Sequence, residues 1–388
     1  MNLLIHDLNE EEWQKIASDY EGWTVVSDNG KINPCGGCFG CWFKGNGECV
    51  IKDGYEHMGE LIHEAGEVVI MSRYTYGGCS SFVKNVLDRS IGYILPYFRF
   101  YKGEMHHKLR YHETKPMTFI FRGNGLTNED KEKASKYVEA VCTNLNGTIK
   151  EIRFIECANS EQRIDSDVMG KDKASSEGYG GISAKSAAGK TIFLNCSLRG
   201  DNANSKKLLD VVAEKAGDNI EQINLGSYVK KLDELVQIIK TAEKVVLGMP
   251  LYVDGIPSSP LRLMEKLEKE CAGSGIKIYV VANMGFYESK QIENLMSMVK
   301  TWCDKAALNY CGGVAVGAGE MMGQVLKFGS NGPAKNVYEG LEKLAAAIKA
   351  SDSIGDIYAD ANKFPRILYF IAANSGMRKS VKSGGVSH

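Results

Sequence analysis

Residues 245–266 read VVLGMPLYVDGIPSSPLRLMEK, and residues 68–89 read VVIMSRYTYGGCSSFVKNVLDR. Each opens with an apolar run of strand length, suited to a strand buried on both faces. Each then passes through a loop of aromatic, Gly and small polar residues into a helix start. The two segments are offset by 177 positions. The blocks that follow repeat as well: FIFRGNGLTNEDKEKASKYVEAVC (119–142) resembles YVVANMGFYESKQIENLMSMVKTWC (279–303). A strand–loop–helix unit repeated in this way within 388 residues implies two α/β domains, each a parallel sheet covered on both faces.

Outward from these segments the alternation continues. NLLIHD, WTVVSD, EVVIMS and MTFIFR are strand candidates in the first copy, with HMGELIHEA and KEKASKYVEAVCTNL as helices. TIFLN, IEQINL, KVVLGM, IKIYVVAN and CGGVAVG are the strands of the second. Ser, Gly, Ala and Lys dominate between the copies, as in SSEGYGGISAKSAAGK, which reads as a linker. The expected organisation is a first domain over 1–156, a linker over 157–189, a second domain over 190–350 and a helical tail over 351–388. The tail segment FPRILYFIAANSGMRKSVK reads as an amphipathic helix that packs back on the body, with a solvated basic end.

A composition of 44% hydrophobic and 24% charged residues fits a globular chain, and a net charge of −1 argues against nucleic acid or an anionic membrane as partner. MNLLIHDLNEEEW has no basic n-region and does not read as a signal peptide. The run ILYFIAA (367–373) falls short of the ~20 residues that span a bilayer. The expectation is a cytoplasmic protein whose eleven cysteines are thiols or metal ligands.

Between TIFLN and the helix that starts near Ser205 lies CSLRGDNAN. Hydroxyl and amide side chains running into a helix N-terminus form an anion site, because free backbone N–H groups and the positive helix end converge there. Ser197, Asn204 and Ser205 would donate hydrogen bonds and Arg199 would add charge. An ordinary N-cap is the plainer reading of the same residues. Two more loops follow strand ends, where open α/β sheets bind ligands: Met249–Gly255 and Asn283–Glu288. Gly255 and Gly285 let backbone approach a planar ring, and Leu251, Tyr252 and Phe286 offer faces to stack on it.

Taken together, Ser197-Leu-Arg199…Asn204-Ser205, Pro250-Leu-Tyr-Val-Asp-Gly-Ile-Pro-Ser and Asn283-Met-Gly-Phe-Tyr-Glu resemble the flavodoxin-like NAD(P)H-dependent FMN reductases. The resemblance spans both copies. It implies two flavodoxin-like, doubly wound parallel-sheet domains in tandem, each with a five-stranded sheet. It places the FMN phosphate on Ser197, Arg199, Asn204 and Ser205. It places the isoalloxazine against Pro250, Leu251, Tyr252, Val253, Asn283 and Gly285. Asp254 and Gly255 become the nearest backbone donors to the flavin pyrimidine edge. No side chain is required as a dedicated acid or base.

The first copy lacks the phosphate phrase. LLIHDLNEEEWQKI passes from strand to helix through Asp7, Glu10, Glu11 and Glu12, where a phosphate would meet like charges. This copy is expected to hold no flavin phosphate. Its loops Ser72–Gly78 and Arg122–Gly125 are either relics or a cover for a flavin held elsewhere, with Arg73 in place of Pro250. Relatives with one such domain often pair with flavin near the subunit interface, so the chain reads as an internal pseudo-dimer or a homo-oligomer.

The first copy instead carries Cys35-x2-Cys38-x2-Cys41-x7-Cys49 on a Gly-rich loop. Three outcomes fit: a [4Fe–4S] cluster, as in the similar iron–sulfur flavoproteins; free thiols; or zinc. Asp53, Asp88 and Arg89 read as structural. His106 and His107, adjacent and hence divergent, read as surface or substrate-loop residues, and Cys79 as a core thiol. The expected function is hydride transfer from NAD(P)H through FMN to a small-molecule acceptor such as a flavin, quinone or nitro compound. The alternatives are an electron carrier fed by ferredoxin through a cluster at Cys35–Cys49, and a flavin-free scaffold.

Overall fold

The computed structural model describes residues 1–157, 189–361 and 363–386. In the first unit the chain runs β1 (Leu3–His6), α1 (Glu10–Gln14), β2 (Thr24–Val26), α2 (Gly40–Phe43), α3 (Met58–Glu64), β3 (Val68–Arg73) and α4 (Ser81–Arg89). It continues through β4 (Ile94–Tyr101), β5 (Glu104–Leu109), β6 (Lys115–Arg122), α5 (Asn128–Asn144) and β7 (Gly147–Ile155). The sheet order is β2-β1-β3-β6-β7, all parallel, which is the flavodoxin-like order.

The second unit runs β8 (Thr191–Asn195), α6 (Asn204–Ala213), β9 (Ile220–Asn224), α7 (Leu232–Ile239), β10 (Lys244–Pro250), α8 (Ser258–Glu270) and β11 (Lys277–Asn283). Then come α9 (Glu293–Lys305), β12 (Asn309–Val316), α10 (Gly319–Val325), α11 (Lys335–Ala350), β13 (Ile357–Ala359) and α12 (Arg366–Ser383). Its parallel sheet has the order β9-β8-β10-β11-β12-β13. The sheet therefore has six strands, not the five implied by the resemblance. Three residues of the tail pair Ile357–Ala359 with Val314–Val316, a segment too short for a strand pattern to show in sequence.

Two further differences bear on function. β4 and β5 form an antiparallel hairpin outside the main sheet. Its two-residue turn, Lys102-Gly103, has both φ angles positive (49° and 84°), the backbone of a type I′ turn. The tail does form a helix, but not with the expected single apolar stripe. Tyr369, Asn374 and Val381 are buried, while Ile367, Leu368 and Ile371 are exposed. Arg378, Lys379 and Lys382 at its basic end are exposed, as expected. Residues 158–188 of the proposed linker lie outside the described residues. Among the described residues, no helix is long and apolar enough to cross a membrane.

The two units pack through the repeated segments themselves. Thr75↔Gly78 and Tyr252↔Gly255 are the same tight turn, bridged the same way, at positions 177 apart. The residue at each turn's tip crosses over: Tyr76 is buried in the core of the second unit, and Val253 packs on the core of the first. Both have left-handed φ (54° and 35°), a conformation costly for side chains of this size. Burial of Tyr76 and partial burial of Val253 across the interface offset that cost.

A buried ion pair fixes the register. Lys84 and Asp88, one helical turn apart on α4, pair with no exposed side-chain surface. Lys84 Nζ also donates to the Tyr252 carbonyl (2.6 Å), and Asp88 Oδ2 accepts the Ser258 backbone N–H (3.0 Å). α8 has no side-chain cap of its own, so Asp88 of the first unit serves as its cap. Asp88 is thus structural, as its sequence reading expects. Arg89 pairs with Asp53 (2.6 Å) and Cys79 is a core thiol, as expected.

Candidate functional site

α6 begins without a side-chain cap: its N-cap is Ala203. The backbone N–H groups of its first turn are therefore left for a ligand. Ser197 and Ser205 are buried beside it. Asn195, at the end of β8, organises this loop. Its Oδ1 accepts the Ser197 backbone N–H (3.2 Å) and the Ser205 hydroxyl (3.0 Å), and its Nδ2 donates to the Gly200 carbonyl (2.9 Å). α1, at the matching place in the first unit, is closed. Asn9 and Glu12 form a complete capping box, and three glutamates fill the first turn.

One cavity joins the three loops. It is lined by Ser197, Arg199, Asn204 and Ser205, by Pro250, Leu251, Tyr252, Val253 and Asp254, and by Asn283, Gly285 and Phe286. Gly255 does not belong to it. A side chain there would meet Met298 and Tyr137 at 3.1 Å, so this glycine serves the close packing of the units. Its N–H donates to the Tyr252 carbonyl (3.0 Å) and is not free for a ligand. Tyr252 also departs from a purely stacking role. Its hydroxyl reaches Ser197 at the α6 end, and burial pushes the phenol well above its ordinary range.

The first unit closes the cavity. Cys35, Gly37, Phe39 and Trp42 line it from the thiol loop, and Phe98 and His107 from the hairpin. The guanidinium of Arg199 sits 5.6 Å from the Phe39 ring centre. A Cβ on Gly37 would lie 1.8 Å from the Tyr252 hydroxyl, so only glycine lets the loop come this close. Asn85 ties the parts together, accepting the Cys35 backbone N–H (3.0 Å) and the Ser258 hydroxyl (3.2 Å). Trp42 Nε1 donates to the carbonyls of Ile91 and Ile94, both at 2.9 Å, and so fixes the thiol loop to the base of the hairpin. From the tail, Met377 lines the cavity and the Tyr369 hydroxyl donates to the Gly285 carbonyl.

The two histidines diverge, as their adjacency predicts, but neither is a surface residue. His107 packs against Trp42, Phe98 and Phe286, and burial holds its imidazole neutral, at about 3. His106 is buried on the opposite side of the hairpin, with Nδ1 2.8 Å from Asn144 Oδ1.

In the first unit, Asp7 fills the place of a ligand. Its carboxylate accepts the Arg73 backbone N–H (2.9 and 3.1 Å) and pairs with Arg122, which also binds Glu12. Arg73 turns across the interface to Glu265 (2.6 Å).

The four thiols are neighbours without converging on a single ion. Among the described residues, the trio whose ligand atoms lie within 4.8 Å of one another is Glu48, Glu56 and His57, which includes none of the cysteines. Tetrahedral zinc with Zn–S of about 2.3 Å needs sulfurs ~3.8 Å apart. In a cubane each thiolate meets a different iron, so wider spacing suffices. Burial and the mutual charge of Cys49 and Cys38 push the Cys41 thiol up to about 12. Burial and Asp88 raise Cys35 further, with Cys41 and Cys49 adding to the shift.

No protein-family model and no curated protein matches the chain. Solved structures similar in part include azoreductase from Bacillus anthracis str. Sterne, at 15% identity over 42% of this chain and 99% of that one, TM-score 0.31. Another is an FMN-dependent NADH-azoreductase from Bacillus anthracis str. Ames Ancestor in complex with FMN, at 17% identity over 41% and 99%, TM-score 0.32. A flavone reductase aligns at 11% identity over 43% and 65%, TM-score 0.33. Likenesses this slight leave the functional reading to the site itself.

Proposed function

We propose that the protein is an FMN-dependent oxidoreductase with one flavin site per chain, held by the second unit and closed by the first. The observation that carries this is the uncapped start of α6 opening, beside buried Ser197 and Ser205, into a cavity lined by all three ring-side loops. The residues fit the group. Backbone donors of the first turn, the Ser197 hydroxyl, the Ser205 hydroxyl once turned from Asn195, and Arg199 would hold a phosphate. Asn283, whose Oδ1 is buried without a partner, would meet a polar ring edge. Leu251, Val253 and Phe286 supply apolar faces. When bound, FMN supplies two-electron transfer between NAD(P)H and a small acceptor such as a flavin, quinone or nitro compound. The thiol loop, the hairpin and Met377 exclude water from the ring end. Replacing Ser197 and Ser205 by glutamate puts two negative charges where the phosphate belongs and is expected to abolish flavin binding; retention of half the flavin would place a second site in the first unit.

A second reading adds a [4Fe–4S] cluster at Cys35, Cys38, Cys41 and Cys49, fed by ferredoxin. It is favoured by the position of Cys35, which lines the same cavity as the flavin loops. Anaerobic purification followed by iron analysis and a visible spectrum decides it: about four irons per chain with broad absorbance near 400 nm supports the cluster, and an iron-free yellow protein refutes it.

A further inference from the structure

Asp254 follows Val253 at the tip of the interface turn. It is 4% exposed and lines two cavities. One is the flavin cavity. The other is a polar hollow between the hairpin, α5 and α9, bordered by Lys102, Lys136, Glu139, Gln291 and Asn294. Asn144, at the end of α5, stands between them and lines both. Its Nδ2 donates to Asp254 Oδ1 (2.7 Å), and its Oδ1 meets His106 Nδ1 (2.8 Å). Asp254 Oδ2 and His106 Nε2 are buried without hydrogen-bond partners. A buried carboxylate with one oxygen unbonded is an expensive feature unless that oxygen carries a proton or serves a ligand.

We propose that Asp254 is the proton donor of the flavin cavity, recharged from the polar hollow behind it, with Asn144 and His106 as positioning residues. The proposal rests on the flavin reading above. Reduction of a quinone by one hydride equivalent, drawn from NAD(P)H, leaves one oxygen anionic. The O–H bond of protonated Asp254 breaks and the proton joins that oxygen. The carboxylate left behind is reprotonated through the hollow by a hydronium ion or buffer acid of the solvent, so the quinone gains one hydride from NAD(P)H and one proton from solvent.

The surroundings favour a protonated carboxyl. Burial raises Asp254 to about 6, and Glu104 on β5 adds to the shift; the Asn144 hydrogen bond and Lys84 on α4 oppose it. Lys84 is already engaged by Asp88 and the Tyr252 carbonyl. Tyr137 and Cys142 of α5 face the same carboxyl, and both are held protonated, chiefly by burial. His106 of β5 reaches it through Asn144. A group that titrates near neutrality beside a reaction cavity is suited to proton transfer.

The test uses full-length protein labelled with 13C at the aspartate carboxyls, with and without FMN. One aspartate should titrate near pH 6, and its signal should vanish in Asp254→Asn. In FMN-loaded wild type, quinone reduction should fall about tenfold per pH unit above that point. In Asp254→Asn this limb should disappear, and the quinone step should slow at least tenfold more than flavin reduction by NAD(P)H. Should Asp254→Asn not fold, Asn144→Ala keeps the carboxyl but removes its donor, and should move both the titration and the rate limb to higher pH. An Asp254 signal titrating in the ordinary aspartate range, or unchanged pH profiles in both variants, overturns the proposal. Failure of the protein to bind FMN sinks the flavin reading separately, and the carboxyl titration of the flavin-free protein still decides the protonation of Asp254.

Discussion

Replacing Ser197 and Ser205 together by alanine separates the phosphate end of the cavity from its ring end. Both hydroxyls are buried, and both sit at the uncapped start of α6. A hydrogen bond to a charged group is worth about 1.5–3 kcal/mol, so the pair contributes about 3–6 kcal/mol to holding a phosphate. At about 1.4 kcal/mol per tenfold, FMN should bind roughly one hundred to ten thousand times more weakly. The Ser205 hydroxyl must leave Asn195 Oδ1 to reach a phosphate, which puts the expected loss in the lower part of that range. Riboflavin carries the same ring without the phosphate, so its affinity should stay within about threefold of wild type. Quenching of flavin fluorescence on titration with each ligand measures both constants, and cooperative urea unfolding checks that the variant folds. Equal weakening of FMN and riboflavin, or no weakening of either, would refute the assignment of this loop to phosphate.

Other consequences concern the interface that closes the cavity. Lys84→Met leaves Asp88 buried and unpaired and should cost about 3–5 kcal/mol in urea unfolding, since breaking one side of a buried pair strands the other charge. Gly37→Ala places a Cβ against the Tyr252 hydroxyl at a residue with φ of +60°, so it should destabilise by about 1–3 kcal/mol and weaken FMN binding together. Asp254, raised to about 6 in the fold against an ordinary value near 3.8, makes the folded state bind more protons than the unfolded state between those pH values. Unfolding free energy should therefore fall as pH rises from about 4 to 6, by roughly 3 kcal/mol in total, and level off above. Asp254→Asn should lack that slope when compared with wild type by urea titration across the same range.

The strands and the ligand loops were legible because they are local. A buried strand shows as an apolar run, and Ser197, Pro250–Asp254 and Asn283–Phe286 follow directly on strand ends, where any open α/β sheet binds. The acidic turn at Asp7–Glu12 also announced its own meaning: Asp7 occupies the donors that a phosphate would need. What stayed hidden depends on contacts far apart in sequence. Gly255 looked like a ring-side glycine, because nothing local reveals that Met298 and Tyr137 press on it from outside its own loop. The reach of Cys35–Trp42 over the other unit's cavity, and of Met377 into it, leaves no periodic trace. The hairpin did leave one: FRFYKGEMHHK alternates about a Lys-Gly turn, and reading it would have separated His106 from His107 by face. Asn195 was missed since a strand-terminal Asn resembles any other; its role appears only once Ser197 and Ser205 fold back on it. Asn144, a helix-terminal residue by sequence, emerges as a wall between two cavities.

The central claim is one flavin site per chain, made by both units and held by the second. Equilibrium titration of the flavin-free, full-length protein with FMN, counted by fluorescence quenching against protein concentration, tests it directly. The account predicts an end point of about one FMN per chain. An end point of two would contradict the asymmetry between α6 and the capped α1, and the absence of any end point would contradict the site.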